Sequence, residues 1–178
     1  RHFVMVTTRV QGSMVHGALP SLFVIGSSAT LLWGPYLKQM TSGVFNYSRK
    51  GEEGSEINKA FRNLDVPQGA NAGDSARVLD YLRSLDRAGS FQADRVLLQV
   101  GAHDIKRNLK TGKNRVALED YGRNVAAIIQ WFKKKRIKLV WIRSGPLDET
   151  LHNARSKGFH RFEKDLDEYN RAAEILLA

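Results

Sequence analysis

Short apolar runs alternate along the chain with stretches in which apolar residues recur every three or four positions. Leu22-Phe23-Val24-Ile25 is the first run, ended by Gly26, and a helical pattern follows from Ala29 to Met40. Val44-Phe45-Asn46-Tyr47 reads as a second short strand. Residues 51–73 are rich in Gly, Asn, Pro and charge, which predicts loop with a short helix around Glu56 to Arg62. Val78, Leu79, Leu82 and Leu85 then keep helical spacing, with Asp74 or Ser75 placed to cap the helix. Arg95 to Val100 is an apolar strand ended by Gly101. Leu118 to Phe132 reads as a helix, Lys138 to Ile142 as a strand, and Phe162 to Leu177 as a final amphipathic helix.

Strands that alternate with helices predict an α/β fold, a three-layer α/β/α sandwich around a mainly parallel, flavodoxin-like sheet. At 178 residues there is room for one domain, expected over 21–178. Residues 1–20 read as an N-terminal extension outside it, and Gln11-Gly12-Ser13-Met14 has the look of a junction before a second start. Hydrophobic residues make up 42% of the chain, enough for a core, which excludes a disordered protein. The absence of cysteine removes disulfides, thiolate metal sites and a Cys nucleophile. Neither a membrane-spanning run nor a secretory apolar segment stands out, so a cytoplasmic location is the default.

The formal charge of +10 raises nucleic acid, an anionic membrane or an acidic ligand as partners. The densest basic run, Lys133-Lys134-Lys135-Arg136, falls where a helix ends, and cations there suit the negative end of the helix dipole. No aromatic residues interleave with the bases in a nucleic-acid motif, so no nucleic-acid partner is expected.

In parallel sheets ligands sit beyond the carboxyl ends of the strands. That singles out Gly26-Ser27-Ser28, Gly101-Ala102-His103-Asp104 and Arg143-Ser144-Gly145. Ser28 follows a strand and a glycine and opens a helix, so an oxyanion formed beside it would meet free backbone N–H groups. A serine at such a place also serves as a plain helix cap. In Asn71-Ala72-Gly73-Asp74-Ser75 a glycine just before a helix can turn its N–H toward a ligand. His103 at a strand end can donate into a cleft or move a proton, and Asp104 can orient a neighbour or cap the next turn.

These three pieces, in this order, resemble the SGNH (GDSL-like) hydrolase superfamily, with its Gly-Asp-Ser, Asn-x-Gly, Gly-x-Asn-Asp and Asp-x-x-His blocks. Phe23 to Leu37 is similar to the first block with Ser28 at the nucleophile position, Gly73 falls on the glycine of the second, and His103-Asp104 on the Asn-Asp of the third. The subgroup it resembles carries Gly-x-His-Asp followed by Ile-Lys-Arg, as Ile105-Lys106-Arg107 does here. The likeness extends through Leu151-His152-Asn153-Ala154-Arg155 and Gly158-Phe159-His160-Arg161.

The resemblance implies hydrolysis of acyl esters or thioesters, carbohydrate O-acetyl groups included, or acyl transfer, through an acyl-enzyme on Ser28. The N–H groups of Ser28 and Gly73 and the side chain of His103 would hold the oxyanion. Ser27, Asn71, Asp104, His152, Arg155 and His160 are expected around the substrate, together with Arg161. No metal and no organic cofactor is implied. Ser27 replaces the family's Asp, and His103 replaces the oxyanion Asn, whose donor role a neutral imidazole can fill. The Asp-x-x-His block is not among these residues, and the last strand of the sheet is expected beyond Ala178. Leu139-Val140-Trp141-Ile142 would then form an apolar edge open to self-association, for which Phe3-Val4-Met5-Val6-Thr7-Thr8 is a candidate cover. Two other readings stand beside the hydrolase: a non-catalytic module binding an acylated or anionic ligand in the same cleft, and a basic nucleic-acid or membrane-surface protein.

Overall fold

Alternate residues of the first strand face opposite sides of a sheet, and each side finds its own helices. The computed structural model describes residues 18–52 and 55–178. In chain order these form β1 (Ser21–Gly26), α1 (Ala29–Met40), β2 (Asn46–Arg49), α2 (Glu56–Arg62), α3 (Ser75–Ala88), β3 (Arg95–Gln99) and β4 (Arg107–Asn108). There follow α4 (Leu118–Lys135), β5 (Lys138–Ile142), α5 (Glu149–Arg155), β6 (Phe159–His160) and α6 (Glu163–Leu177).

The main sheet has the order β2-β1-β3-β5 with every pair parallel, which is the expected α/β architecture. Register is set by the buried side chains: Val24 pairs with Leu97, and Leu97 with Val140. On one face Ile25, Val96 and Leu98 pack with Val78, Leu82, Val125, Ile128, Phe132 and Tyr169 from α3, α4 and α6. On the other face Leu22, Val24 and Leu97 pack with Trp33 and Leu37 of α1. Burying each large apolar chain of this kind contributes about 2 kcal/mol, so the two faces together hold the layers in place.

Helix ends follow the chemistry that the sequence offers. Asp74 caps α3, its side chain accepting the N–H of Arg77 at 3.0 Å. The run Lys133–Arg136 closes α4, with Arg136 in the left-handed region at φ 57° and Lys135 paired with Asp86 at 2.6 Å. Asp86 also accepts from Trp131 Nε1 at 2.8 Å.

Three expectations shift. The second strand runs two residues later than Val44–Tyr47, because the N–H groups of Val44 and Phe45 both go to Thr41 O in the turn after α1. The stretch expected as loop between β5 and α6 holds α5, capped by Asp148 accepting from Leu151 N at 2.8 Å. It also holds β6, which pairs antiparallel with β4 through Arg107–His160 and Asn108–Phe159. Two-residue strands are too short for alternation to show in a sequence.

β5 is the last strand on its side among the described residues, and Leu139 to Ile142 are half-buried there. The extension at 1–20 falls almost wholly outside the described residues, and with it the Phe3–Thr8 segment. Among the described residues no helix is long and apolar enough to cross a membrane.

Candidate active site

Ser28 stands where β1 passes into α1. Its backbone is already helical, at φ −53° and ψ −31°, and its hydroxyl makes no capping hydrogen bond. The first turn is satisfied without it: Thr30 N and Thr30 Oγ1 donate to Ser27 O at 3.0 and 2.8 Å, and Leu31 N donates to Ser28 O at 3.0 Å. Arg49, buried on β2, holds the same turn by donating to Thr30 O at 3.0 Å and Thr30 Oγ1 at 3.1 Å. Ser28 therefore keeps its hydroxyl uncommitted at a helix N-terminus. Ser27 beside it is buried.

The second loop is bolted to the end of β1. Ala72 N donates to Gly26 O at 2.9 Å. Asn71 is buried, and its side chain is spent inside the loop: Nδ2 donates to Leu64 O at 3.0 Å and Oδ1 accepts the N–H of Gly73 at 3.1 Å. Gly73 has φ 81°, and a Cβ there would stand 2.6 Å from Pro67 Cβ, so only glycine fits. The N–H that the sequence assigned to an oxyanion is thus held by Asn71 in this structure.

The third piece is the turn after β3. Asp104 N and Ile105 N both donate to Gly101 O, at 3.0 and 3.2 Å. His103 is 1% exposed, and among the described residues neither ring nitrogen has a hydrogen-bond partner. Burial, reinforced by the nearby charges of Lys106, Arg161, Arg115 and Arg77, pushes its pKa down to about 2, so the imidazole is neutral. Asp104 is fully buried; Oδ1 accepts the N–H of Ser75 at 2.9 Å, Oδ2 has no partner, and burial raises its pKa to about 7.

A cleft of about 350 Å³ opens at the carboxyl ends of β1, β3 and β5. Ser27, Ser28 and Trp33 form one wall, Gln99, Ala102 and Ile105 a second, and Ser144 to Leu147 a third. Ser144 is fixed by donating from Oγ to Val100 O at 3.2 Å and from N to Asn170 Oδ1 at 3.1 Å. Arg161 and Leu166 complete the lining.

Of the expected substrate residues near Arg161, His152 is half-buried, with Nε2 3.4 Å from Arg161 Nη1 and its ring 5.6 Å from Phe159. Burial and the adjacent guanidinium lower its pKa. Arg155 is exposed on α5, and His160 is half-buried on β6. None of these three lines the cleft, and neither do Asn71, Gly73, His103 and Asp104, whereas Ser27, Ser28 and Arg161 do. Arg49 carries no motif, and Trp33, although inside the segment similar to the first block, was given no role there. Among the described residues no group of three or more His, Asp or Glu is placed to hold a metal ion.

No protein-family model matches the sequence, and no curated protein matches it. Among solved structures, the chain is similar to the acetyl xylan esterase AlAXEase at a TM-score of 0.57 and 17% identity, over 88% of this chain and 71% of that one. It is also similar to an aspartate-to-alanine variant of esterase AlinE4, at a TM-score of 0.53 and 15% identity, over 93% of this chain and 76% of that one. At these identities the likeness is one of fold: this chain has the parallel, helix-flanked sheet of those esterases, with its cleft at the carboxyl ends of the strands.

Proposed function

We propose that the protein is a serine hydrolase of the SGNH type that cleaves acyl esters or thioesters, carbohydrate O-acetyl groups among them. The observation that carries this reading is the hydroxyl of Ser28, uncommitted at a helix N-terminus and set in the wall of the cleft. The esterase names of the two similar structures support the same class of reaction.

In this reading Ser28 Oγ attacks the ester carbonyl and loses its proton to a base. The tetrahedral oxyanion is held by the N–H of Ser28, at the positive end of α1, and by an N–H of neutral His103. Gly73 adds its N–H on giving up its bond to Asn71 Oδ1. The intermediate collapses with departure of the alcohol or thiol, which takes up the proton, and water then releases the acid from the acyl-enzyme. Each preorganised donor in such a hole is worth roughly 3 kcal/mol of barrier. His103 itself is unsuited to be the base, because a group held neutral down to about pH 2 takes up a proton poorly. The resemblance assigns the base to an Asp-x-x-His block; His152 and His160 are the alternatives among the described residues, and neither lines the cleft. Trp33, Ile105, Leu147 and Leu166 give the cleft apolar surface for an acyl chain.

A second reading, a non-catalytic module binding acylated ligands in the same cleft, is favoured by one observation: neither nitrogen of His103 has a partner, so among the described residues that imidazole does not activate Ser28. A fluorophosphonate probe separates the two. The hydrolase reading expects labelling of the protein that is lost in Ser28→Ala and kept in Ser27→Ala. Labelling that survives Ser28→Ala removes Ser28 as nucleophile, and a protein that takes no label at all fits the binding module.

A further inference from the structure

Arg161 is the one ionisable side chain among the described residues lining the cleft; the rest of the lining is apolar, serine, glycine or glutamine. Its side chain is only 12% exposed. Nε donates to Ala102 O at 2.7 Å, which sets the plane of the guanidinium against the turn that carries His103. The ring of Phe159 lies 4.8 Å from its Cζ on one side. Lys106, 8% exposed, sits 4.3 Å from the centre of the same ring.

Both cations share a single carboxylate. Asp65 Oδ1 is 3.5 Å from Lys106 Nζ and 3.5 Å from Arg161 Nη2, and Asp65 itself is half-exposed. Two nearly buried positive charges against one wetter negative charge leave an excess of one positive charge beside the cleft. Arg115, the next cation, is taken by Asp74 at 2.6 Å. A buried charge acts through a lower effective dielectric than a surface one, so this excess is felt in the cleft more than the general surface charge. With Nε on Ala102 O, Nη1 3.4 Å from His152 Nε2 and Nη2 3.5 Å from Asp65 Oδ1, one N–H is left on each terminal nitrogen, a pair that suits a carboxylate.

We infer that Arg161 is a specificity-determining residue, which takes a carboxylate carried by the ester, so that the cleft selects anionic esters over neutral ones. This rests on the proposed function for the word ester; the anion preference itself needs no chemistry at Ser28. Asp65 tunes it by neutralising part of the charge, and Lys106 adds to it from beside the same Phe159 ring.

The test is equilibrium binding, by calorimetry, of para-acetoxybenzoate and its methyl ester to the Ser28→Ala protein, which cannot turn either over. The charged ester is expected to bind at least about tenfold more tightly than the capped one. Arg161→Gln should abolish that ratio, Arg161→Lys should keep part of it, and Asp65→Asn should raise it. Equal binding of the two esters, binding of neither, or a ratio that survives Arg161→Gln would overturn the inference. Arg161 also holds Ala102 O, so if Arg161→Gln does not fold, Asp65→Asn decides: an unchanged ratio there overturns it. Fluorophosphonate labelling of Ser28 judges the hydrolase reading separately, since a protein that prefers the anion yet takes no label keeps this inference and loses that one.

Discussion

Asp104 Oδ1 accepts the backbone N–H of Ser75 at 2.9 Å, so a fully buried carboxyl joins the turn after β3 to the first turn of α3. The bond ties the His103 turn and the Gly73 loop into one unit. Asn124 Nδ2 continues the link by donating to Ser75 Oγ at 2.9 Å.

The buried carboxyl gives stability a definite dependence on pH. Burial raises the pKa of Asp104 to about 7 from its ordinary 3.8. Between those values the folded protein keeps a proton that the unfolded chain has released, so this contribution falls as pH rises from about 4 to about 7 and is level above. Asp104→Asn keeps an oxygen for Ser75 N and removes the titration. The Tm of the wild-type protein minus that of Asp104→Asn should therefore decline across that window. A difference that stays constant across it refutes the buried, protonated carboxyl.

His103 works in the opposite sense. Its pKa is pushed below the ordinary 6.5 to about 2, so the unfolded chain binds a proton that the folded protein refuses. The stability it contributes is complete above about pH 6.5 and is lost as pH falls below. Its imidazole signals in NMR should not titrate from weakly acidic to neutral pH. In the oxyanion role proposed for it, it should also be replaceable: His103→Leu should slow labelling of Ser28 about a hundredfold, and His103→Asn should restore most of the rate. Equal rates for the two variants would remove His103 from the oxyanion site.

An ion pair ties the ribbon of β4 and β6 to α6. Arg107 Nη2 donates to both oxygens of Asp165 at 2.7 and 2.6 Å, and its guanidinium lies 4.6 Å from the ring of Phe162. Asp165 is nearly buried on α6, while Arg107 remains about a third exposed. Arg107→Met leaves the carboxylate without its partner and should cost about 2 kcal/mol in urea unfolding, discounted for the exposed side. The double variant with Asp165→Asn should recover part of that loss. Additive losses would mean that the pair contributes nothing.

Much of the frame was legible in local pattern. The runs at Leu22–Ile25, Arg95–Val100 and Lys138–Ile142 announced three parallel strands, because strands covered on both faces are continuously apolar. The helix at Ala29–Met40 and a cap at Asp74 or Ser75 could be read because helical spacing and a capping side chain before it are local signals, and the structure uses Asp74. The second strand was misplaced by two residues, since the turn after α1 consumes the N–H groups of Val44 and Phe45. Likewise β6, two residues long, was too short to show a period, and α5 was read as loop.

The sequence by itself determined the order of strands and helices and the chemistry available at three strand ends. Those depend on apolar spacing, glycine placement and residue type, all of which are local. Only the tertiary structure decided how that chemistry is deployed: Ser28 with its hydroxyl uncommitted, Asn71 turned inward onto Gly73, and His103 buried without a partner. It also decided that Arg161, rather than His152, Arg155 or His160, lines the cleft, through Nε bonded to Ala102 O fifty-nine residues away along the chain. Burial and long-range hydrogen bonds depend on what the rest of the chain packs beside a residue, and no local window of sequence contains that information.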